Sequence, residues 1–288
     1  MVAVFILLSM LLSLPLTRRT RKWKEDSPQA LGLQFENIQF SSPEGIPLRG
    51  WWIPAAGSSS TIILLHGYQG SMDPDLQYAP WLHEAGYNIL MFDFRAHGRS
   101  GGKICTIGAL ELRDALAAIN VAREKGSWRI GLMGFSMGGR VAVLAGAQSN
   151  DFHAIVCDCG PARISTAIAL NLARRGVPAC FSIPLADYLL FGVSVRSGIN
   201  LFTHEPIDAA KRLHGAPVLF LQGRNDPNIR IRETLQMVKN AGTGAELWLV
   251  EDAAHRDISE LHPAEYQKTI LEFFERVLAA QNLRNLKA

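Results

Sequence analysis

Five short apolar runs constrain the fold of this 288-residue chain more than any other feature. They lie at 61–65 (TIILL), 87–92 (YNILMF), 129–135 (RIGLMGF), 154–157 (AIVC) and 217–222 (PVLFLQ). None alternates polar with apolar residues as a half-exposed strand does, so each reads as a strand buried on both faces. Helical spacing is predicted between and after them, over 76–85, 107–124, 137–148, 231–240 and 264–280, with one more strand at 245–250 (AELWLV). Strands that alternate with helices imply an α/β fold: a mostly parallel sheet covered by helices on both faces. Ahead of this rhythm, 33–40 (LQFENIQF) does alternate, Pro43-Glu44-Gly45 is a turn, and 48–53 (LRGWWI) reads as the returning antiparallel strand. That makes eight strands. The rhythm breaks once, over 161–206, where the chain is apolar and helical without a buried strand. This stretch is expected to form a small cap above the C-terminal edge of the sheet, where such folds place their ligand crevice.

With 48% hydrophobic and 19% charged residues, the chain has ample material for one buried core. The net charge of +3 owes much to one cluster, Arg18, Arg19, Arg21, Lys22 and Lys24. The remaining body is near neutral, which argues against a nucleic-acid partner, since phosphate binding needs a basic face. Four cysteines (Cys105, Cys157, Cys159, Cys180) are too few for a disulfide framework, and Cys157-x-Cys159 lacks zinc spacing. They are read as buried, reduced thiols, and no metal or cofactor is expected. The expected organisation is an N-terminal segment, 1–24, followed by a single α/β domain, 25–288, interrupted by the cap. Residues 2–16 (VAVFILLSMLLSLPL) are a candidate membrane anchor, with the basic cluster behind them holding the domain on the cytoplasmic side. The run falls short of the roughly 20 residues that span a bilayer. An atypical export signal, leading to a secreted or periplasmic protein, and a helix packed on the domain or in a dimer are the other readings.

The chemistry concentrates in Gly134-Phe135-Ser136-Met137-Gly138, which follows one buried strand directly and opens a helix directly. Small residues let strand and helix approach at a sharp turn, the turn lifts the Ser136 hydroxyl above the sheet, and the helix N-terminus favours developing negative charge. A serine needs a base to take its proton. Among eight histidines, His255 stands just past the last predicted strand, while His66 and His97 sit in glycine-bearing turns and His262 precedes Pro263. The base needs a carboxylate to fix its tautomer. Asp226, after PVLFLQ, is the first candidate and Asp158, one strand earlier, its rival. The oxyanion donors expected are the backbone N–H groups of Met137 and of Tyr68 in His66-Gly67-Tyr68-Gln69-Gly70, with Gln69 as the alternative to Tyr68.

In this order (His66-Gly67, then Asp93-Phe94-Arg95-Ala96-His97-Gly98-Arg99-Ser100, Gly-x-Ser-x-Gly, Gly223-Arg224-Asn225-Asp226, His255) the chain resembles the α/β-hydrolase superfamily over about residues 33–280. It is most similar to serine hydrolases of the esterase, monoacylglycerol-lipase-like and S33-type aminopeptidase groups. The resemblance implies a triad of Ser136, Asp226 and His255, with Tyr68 and Met137 lining the oxyanion hole. It also implies a shaping role for Asp93, Arg95, His97 and Ser100. Two positions depart from the usual pattern: Ala96 replaces a glycine, and Pro227-Asn228-Ile229-Arg230 replaces a valine-proline pair after the acid. The leading expectation is cleavage of small to medium acyl esters through an acyl-enzyme. An amidase, aminopeptidase or thioesterase would use the same triad, and a non-catalytic receptor on the same fold is the remaining alternative. An aminopeptidase would need carboxylates in the cap, and 161–206 offers only Asp187 and Glu205 against Arg163, Arg174, Arg175 and Arg196. Dehalogenation is excluded, because that chemistry in this fold places an aspartate where Ser136 stands.

Overall fold

The computed structural model describes residues 1–24 and 26–280. An N-terminal helix, α1 (Val2–Leu12), precedes β1 (Glu36–Ser41), β2 (Pro47–Ile53) and β3 (Ser60–Leu65). Then α2 (Ala79–Glu84), β4 (Asn88–Phe92), α3 (Glu111–Glu124), β5 (Arg129–Phe135), α4 (Met137–Gly146) and β6 (Ala154–Asp158) follow in strict alternation. The cap contributes α5 (Ile164–Arg174), α6 (Ala179–Ser197) and α7 (Pro206–Ala209). The chain closes with β7 (Val218–Gly223), α8 (Ile231–Ala241), β8 (Ala245–Val250), α9 (Ile258–Leu261) and α10 (Pro263–Ala280).

The eight strands form one sheet in the order β1-β2-β4-β3-β5-β6-β7-β8. β2 runs antiparallel to both β1 and β4, and every other neighbouring pair is parallel. Successive residues of a strand serve opposite faces. Ile63, Leu65 and Leu132 therefore join the core under α3 and α4, while Ile62, Leu64 and Met133 join the core under α2 and α10. Each of these side chains is at most 2% exposed, and burial of that completeness stabilises by roughly 1.5–3 kcal/mol per side chain. From β3 the chain passes to β4 on one side and then returns to β5 on the other. The loops after β3 and β5 consequently meet at a switch point, the place where such sheets open a crevice.

Two helix starts differ from the sequence pattern. The helix expected from residue 107 begins at Glu111, because the Glu111 carboxylate accepts from Thr106 N, Thr106 Oγ1 and Gly108 N at 2.8 Å each. This closed loop holds Ile107 at φ 53° and displaces the first turn. The helix expected over 76–85 divides into a tighter turn, Asp73–Tyr78, and α2. Pro80 has no N–H with which to continue the ladder back to Leu76. One cysteine also departs: Cys105, Cys157 and Cys159 are buried free thiols, but Cys180 is exposed in the first turn of α6, on the cap surface.

The N-terminal residues are bound to the domain. Helix α1 lies along α6, with the Phe5 ring 4.5 Å from that of Tyr188 and the Gly192 backbone against Ser9. Beyond it the chain straps the loops that follow β3 and β4. Thr17 O accepts from Cys105 N at 3.2 Å, Thr20 N donates to Ala96 O at 2.9 Å, and Arg19 donates to Ser100 O at 2.8 Å. Thr17, Arg19 and Thr20 are therefore packed against the loop after β4, while Arg18, Arg21, Lys22 and Lys24 of the basic cluster are exposed.

Candidate active site

Ser136 sits between β5 and α4 at φ 53° and ψ −112°, a region that L-residues rarely enter and that costs on the order of 1–3 kcal/mol. Two glycines make the turn geometrically feasible. A Cβ on Gly134 would overlap Gly138 O, and one on Gly138 would overlap Leu65 O. Strand β5, helix α4 and the end of β3 are thus in backbone contact around the serine. Ser136 N donates to Asp158 O at 2.8 Å, which ties the turn to the next strand.

The loop after β8 brings His255 to this turn. Its Nε2 lies 3.0 Å from Ser136 Oγ, and its Nδ1 lies 2.7 Å from Asp226 Oδ2. With Nδ1–H donated to the carboxylate, Nε2 presents its lone pair to the serine hydroxyl. Asp226 is fixed on both oxygens. Gln222 Nε2 donates to Oδ2 at 3.2 Å, and Asn228 N donates to Oδ1 at 2.7 Å. Asn228 belongs to the unusual turn after the acid, and the turn keeps a backbone N–H on the carboxylate despite its departure from the family's valine-proline pair.

The rival acid points elsewhere. Asp158 Oδ2 accepts from Tyr266 Oη at 2.7 Å, and its carboxyl is raised above the usual range by burial. The two donor candidates separate as well. Gln69 N is already given to His97 Nε2 at 3.3 Å. Tyr68 N has no acceptor among the described residues, and Met137 N, at the first position of α4, has none within its helix. A Cβ added to Gly67 would stand 3.7 Å from Ser136 Cβ, which sets the Tyr68 loop beside the Ser136 turn.

His66 and His97 hold the loops. His66 Nδ1 donates to Gly67 O at 2.8 Å and Nε2 accepts from Phe94 N at 3.0 Å; burial first, then His97, keeps the ring well below its ordinary pKa. His97 Nδ1 donates to Arg95 O at 2.8 Å. Asp93 accepts from Met72 N and Arg99 N at 2.8 Å each, and Arg95 pairs with Asp114 at 2.7 Å. His262 lies apart, its Nε2 2.7 Å from Asp252.

One residue escaped the sequence reading. Arg256, the neighbour of His255, takes φ 64° and donates to Asp75 Oδ1 at 2.6 Å. Its guanidinium lies 4.7 Å from the centre of the Phe135 ring, and a Cβ added to Gly67 would stand 3.5 Å from its Nη1, so it packs on the residue before Ser136 and beside the loop after β3. Its position beside His255 was the available signal, but its partner Asp75 is 181 residues away.

Comparison with known proteins agrees with this fold. The model of the alpha/beta hydrolase fold family matches residues 60–181. The YqkD protein of Bacillus subtilis is 28% identical over 253 residues, 85% of this chain and 81% of its own. The YfhR protein of Escherichia coli K12 is 28% identical over 259 residues, 86% and 83% of the two chains. The chain has the α/β-hydrolase fold. Among solved structures, the Pyrococcus furiosus esterase Pf2001 superposes with a TM-score of 0.77 at 27% identity, over 90% of this chain and 97% of that one, which supports a hydrolase. The hydrolase GrgF from a Penicillium species, at 19% identity and TM-score 0.69, shares the fold over 86% of this chain and 100% of its own.

Proposed function

We propose that the chain is a serine hydrolase that cleaves carboxylic esters through an acyl-enzyme. One observation carries this reading: the unbroken line from Ser136 Oγ through His255 to Asp226, at 3.0 and 2.7 Å, beneath two free N–H groups. In this mechanism Ser136 attacks the acyl carbon while His255 takes its proton. Tyr68 and Met137 stabilise the oxyanion, and His255 then protonates the leaving alcohol. Water repeats the sequence on the acyl-enzyme, and Asp226 holds the imidazole in the tautomer that both steps need. The similarity to an esterase supports an ester rather than an amide substrate. So does the cap: Glu205, one of its two acids, pairs with Arg140 at 2.7 Å and accepts from Ile164 N, which leaves it unavailable to a substrate ammonium.

The test is hydrolysis of p-nitrophenyl esters from acetate to palmitate by the wild type and by Ser136→Ala. The expected loss is on the order of 10⁴-fold or more. Absence of wild-type turnover across the series would exclude the ester reading, and equal turnover by the two proteins would remove Ser136 from the mechanism.

A further inference from the structure

Helix α1 is packed inside out. In a helix on the surface of a protein in water, the polar face is turned outward. Here Ser9, Ser13 and Thr17, spaced four residues apart, are at most 1% exposed. Their hydroxyls are satisfied locally, on Ile6 O at 2.7 Å, Met10 O at 2.9 Å and Leu14 O at 3.3 Å. Thr17 also accepts from Arg196 of the cap at 2.7 Å. The outward face is Val4, Leu7, Leu8, Leu11 and Leu12, each 47–68% exposed. Small residues at a helix contact, with leucines on the outside, are how helices pack in lipid, and Ser9 meets Gly192 of α6 in just that way. Directly after this face come the exposed cations Arg18, Arg21, Lys22 and Lys24.

We infer that α1, seated on α6, is a docking platform for the surface of an anionic lipid bilayer. The leucine face enters the acyl region and the basic cluster meets the headgroups. The platform adjoins the site. Leu16, four residues past α1, accepts from Tyr68 Oη at 2.9 Å, and the Tyr68 loop abuts Ser136. An acyl ester dissolved in the bilayer would therefore reach the nucleophile at the membrane surface. This substrate class rests on the ester reading above; the docking itself does not.

The test uses the full chain with vesicles of phosphatidylcholine containing about one third phosphatidylglycerol. The wild type is expected to float with these vesicles. Leu7→Asp with Leu11→Asp, both on the outward face, is expected to lower vesicle partition at least tenfold. It should reduce turnover of vesicle-borne p-nitrophenyl laurate in proportion, with soluble p-nitrophenyl acetate unchanged. Arg18→Gln, Arg21→Gln and Lys22→Gln together should weaken binding to the anionic vesicles about fivefold per cation and leave binding to pure phosphatidylcholine unaffected. This variant carries the test if circular dichroism shows the leucine variant to be unfolded. A wild type that stays unbound overturns the inference. So does a dimer that Leu7→Asp with Leu11→Asp dissociates while neither protein floats. Equal loss of both esters in the leucine variant overturns the presentation of substrate from lipid. Flotation without turnover of either ester would support the platform and exclude the ester reading instead.

Discussion

His255 and Arg256 are consecutive residues that serve two different carboxylate systems. His255 keeps 21% of its side chain exposed and faces one acid, Asp226, so its far nitrogen stays free for Ser136. Arg256 faces two buried acids. It bonds to Asp75, and its charge also acts on Asp158, which Tyr266 holds from the other side. One system pairs a histidine with one carboxylate and leaves a ring nitrogen open toward Ser136; the other closes a single cation on two buried carboxylates, although the Arg256 side chain itself is 26% exposed. The contrast shows how two consecutive residues divide the work. In the proposed mechanism the first system moves a proton, while the second ties together the loops that carry the first.

The largest effect expected from breaking this division lies on the open side. Asp226→Asn should lower kcat by on the order of 10³- to 10⁴-fold, because an amide at that position favours the wrong imidazole tautomer. Asp158→Asn should lower it less than tenfold. Steady-state kinetics of the two variants with p-nitrophenyl acetate compare the acids directly, and the reverse ranking would make Asp158 the partner of His255.

On the closed side the main expected effect is on stability. Arg256→Met leaves Asp75 and Asp158 buried, each 2% exposed, without their cation. Breaking such a cluster from one side costs about 3 kcal/mol, which for a chain of this size lowers Tm by roughly 5 °C. Arg256→Lys should recover part of the loss, since it restores the charge without the fork. Thermal unfolding of both variants measures this, and an unchanged Tm for Arg256→Met would show that the cation does not hold the loops together.

These two systems were not equally legible in the sequence. The Ser136 turn is local: Gly134, Ser136 and Gly138 lie within five residues, and the buried run before Ser136 announces the strand. Asp226 and His255 could be placed because each follows a strand of the same parallel sheet. The Arg256 cluster has no such pattern. Tyr266 meets Asp158 across 108 residues and Arg256 meets Asp75 across 181, so only the folded loops bring them together. The N-terminal segment falls between these cases. Its hydrophobicity was plain, but which face would pack was written only in the four-residue spacing of Ser9, Ser13 and Thr17. The early start expected for α3 failed for a related reason, since Glu111 spends its carboxylate on Thr106 and Gly108 rather than on solvent.

The smallest expected effect is a pH dependence, and it tests the charge count of the closed cluster. Burial, opposed by Arg256 and reinforced by Asp158, raises the Asp75 carboxyl from 3.8 to about 6. A carboxyl raised in the folded state binds its proton more tightly there than in the unfolded chain. Its contribution to stability is therefore complete below about pH 3.8 and is lost as the pH rises through about 6. Burial sets the direction, and Asp158, a second negative charge around one guanidinium, adds to it. Asp158→Asn removes that charge, so the Asp75 carboxyl should ionise at lower pH. The fall in stability across this window should then flatten relative to the wild type. Urea unfolding at several pH values between 4 and 7 reads the slope. An identical slope in the variant would mean that Asp158 does not act on Asp75, and that the closed cluster is a single ion pair beside an independent carboxyl.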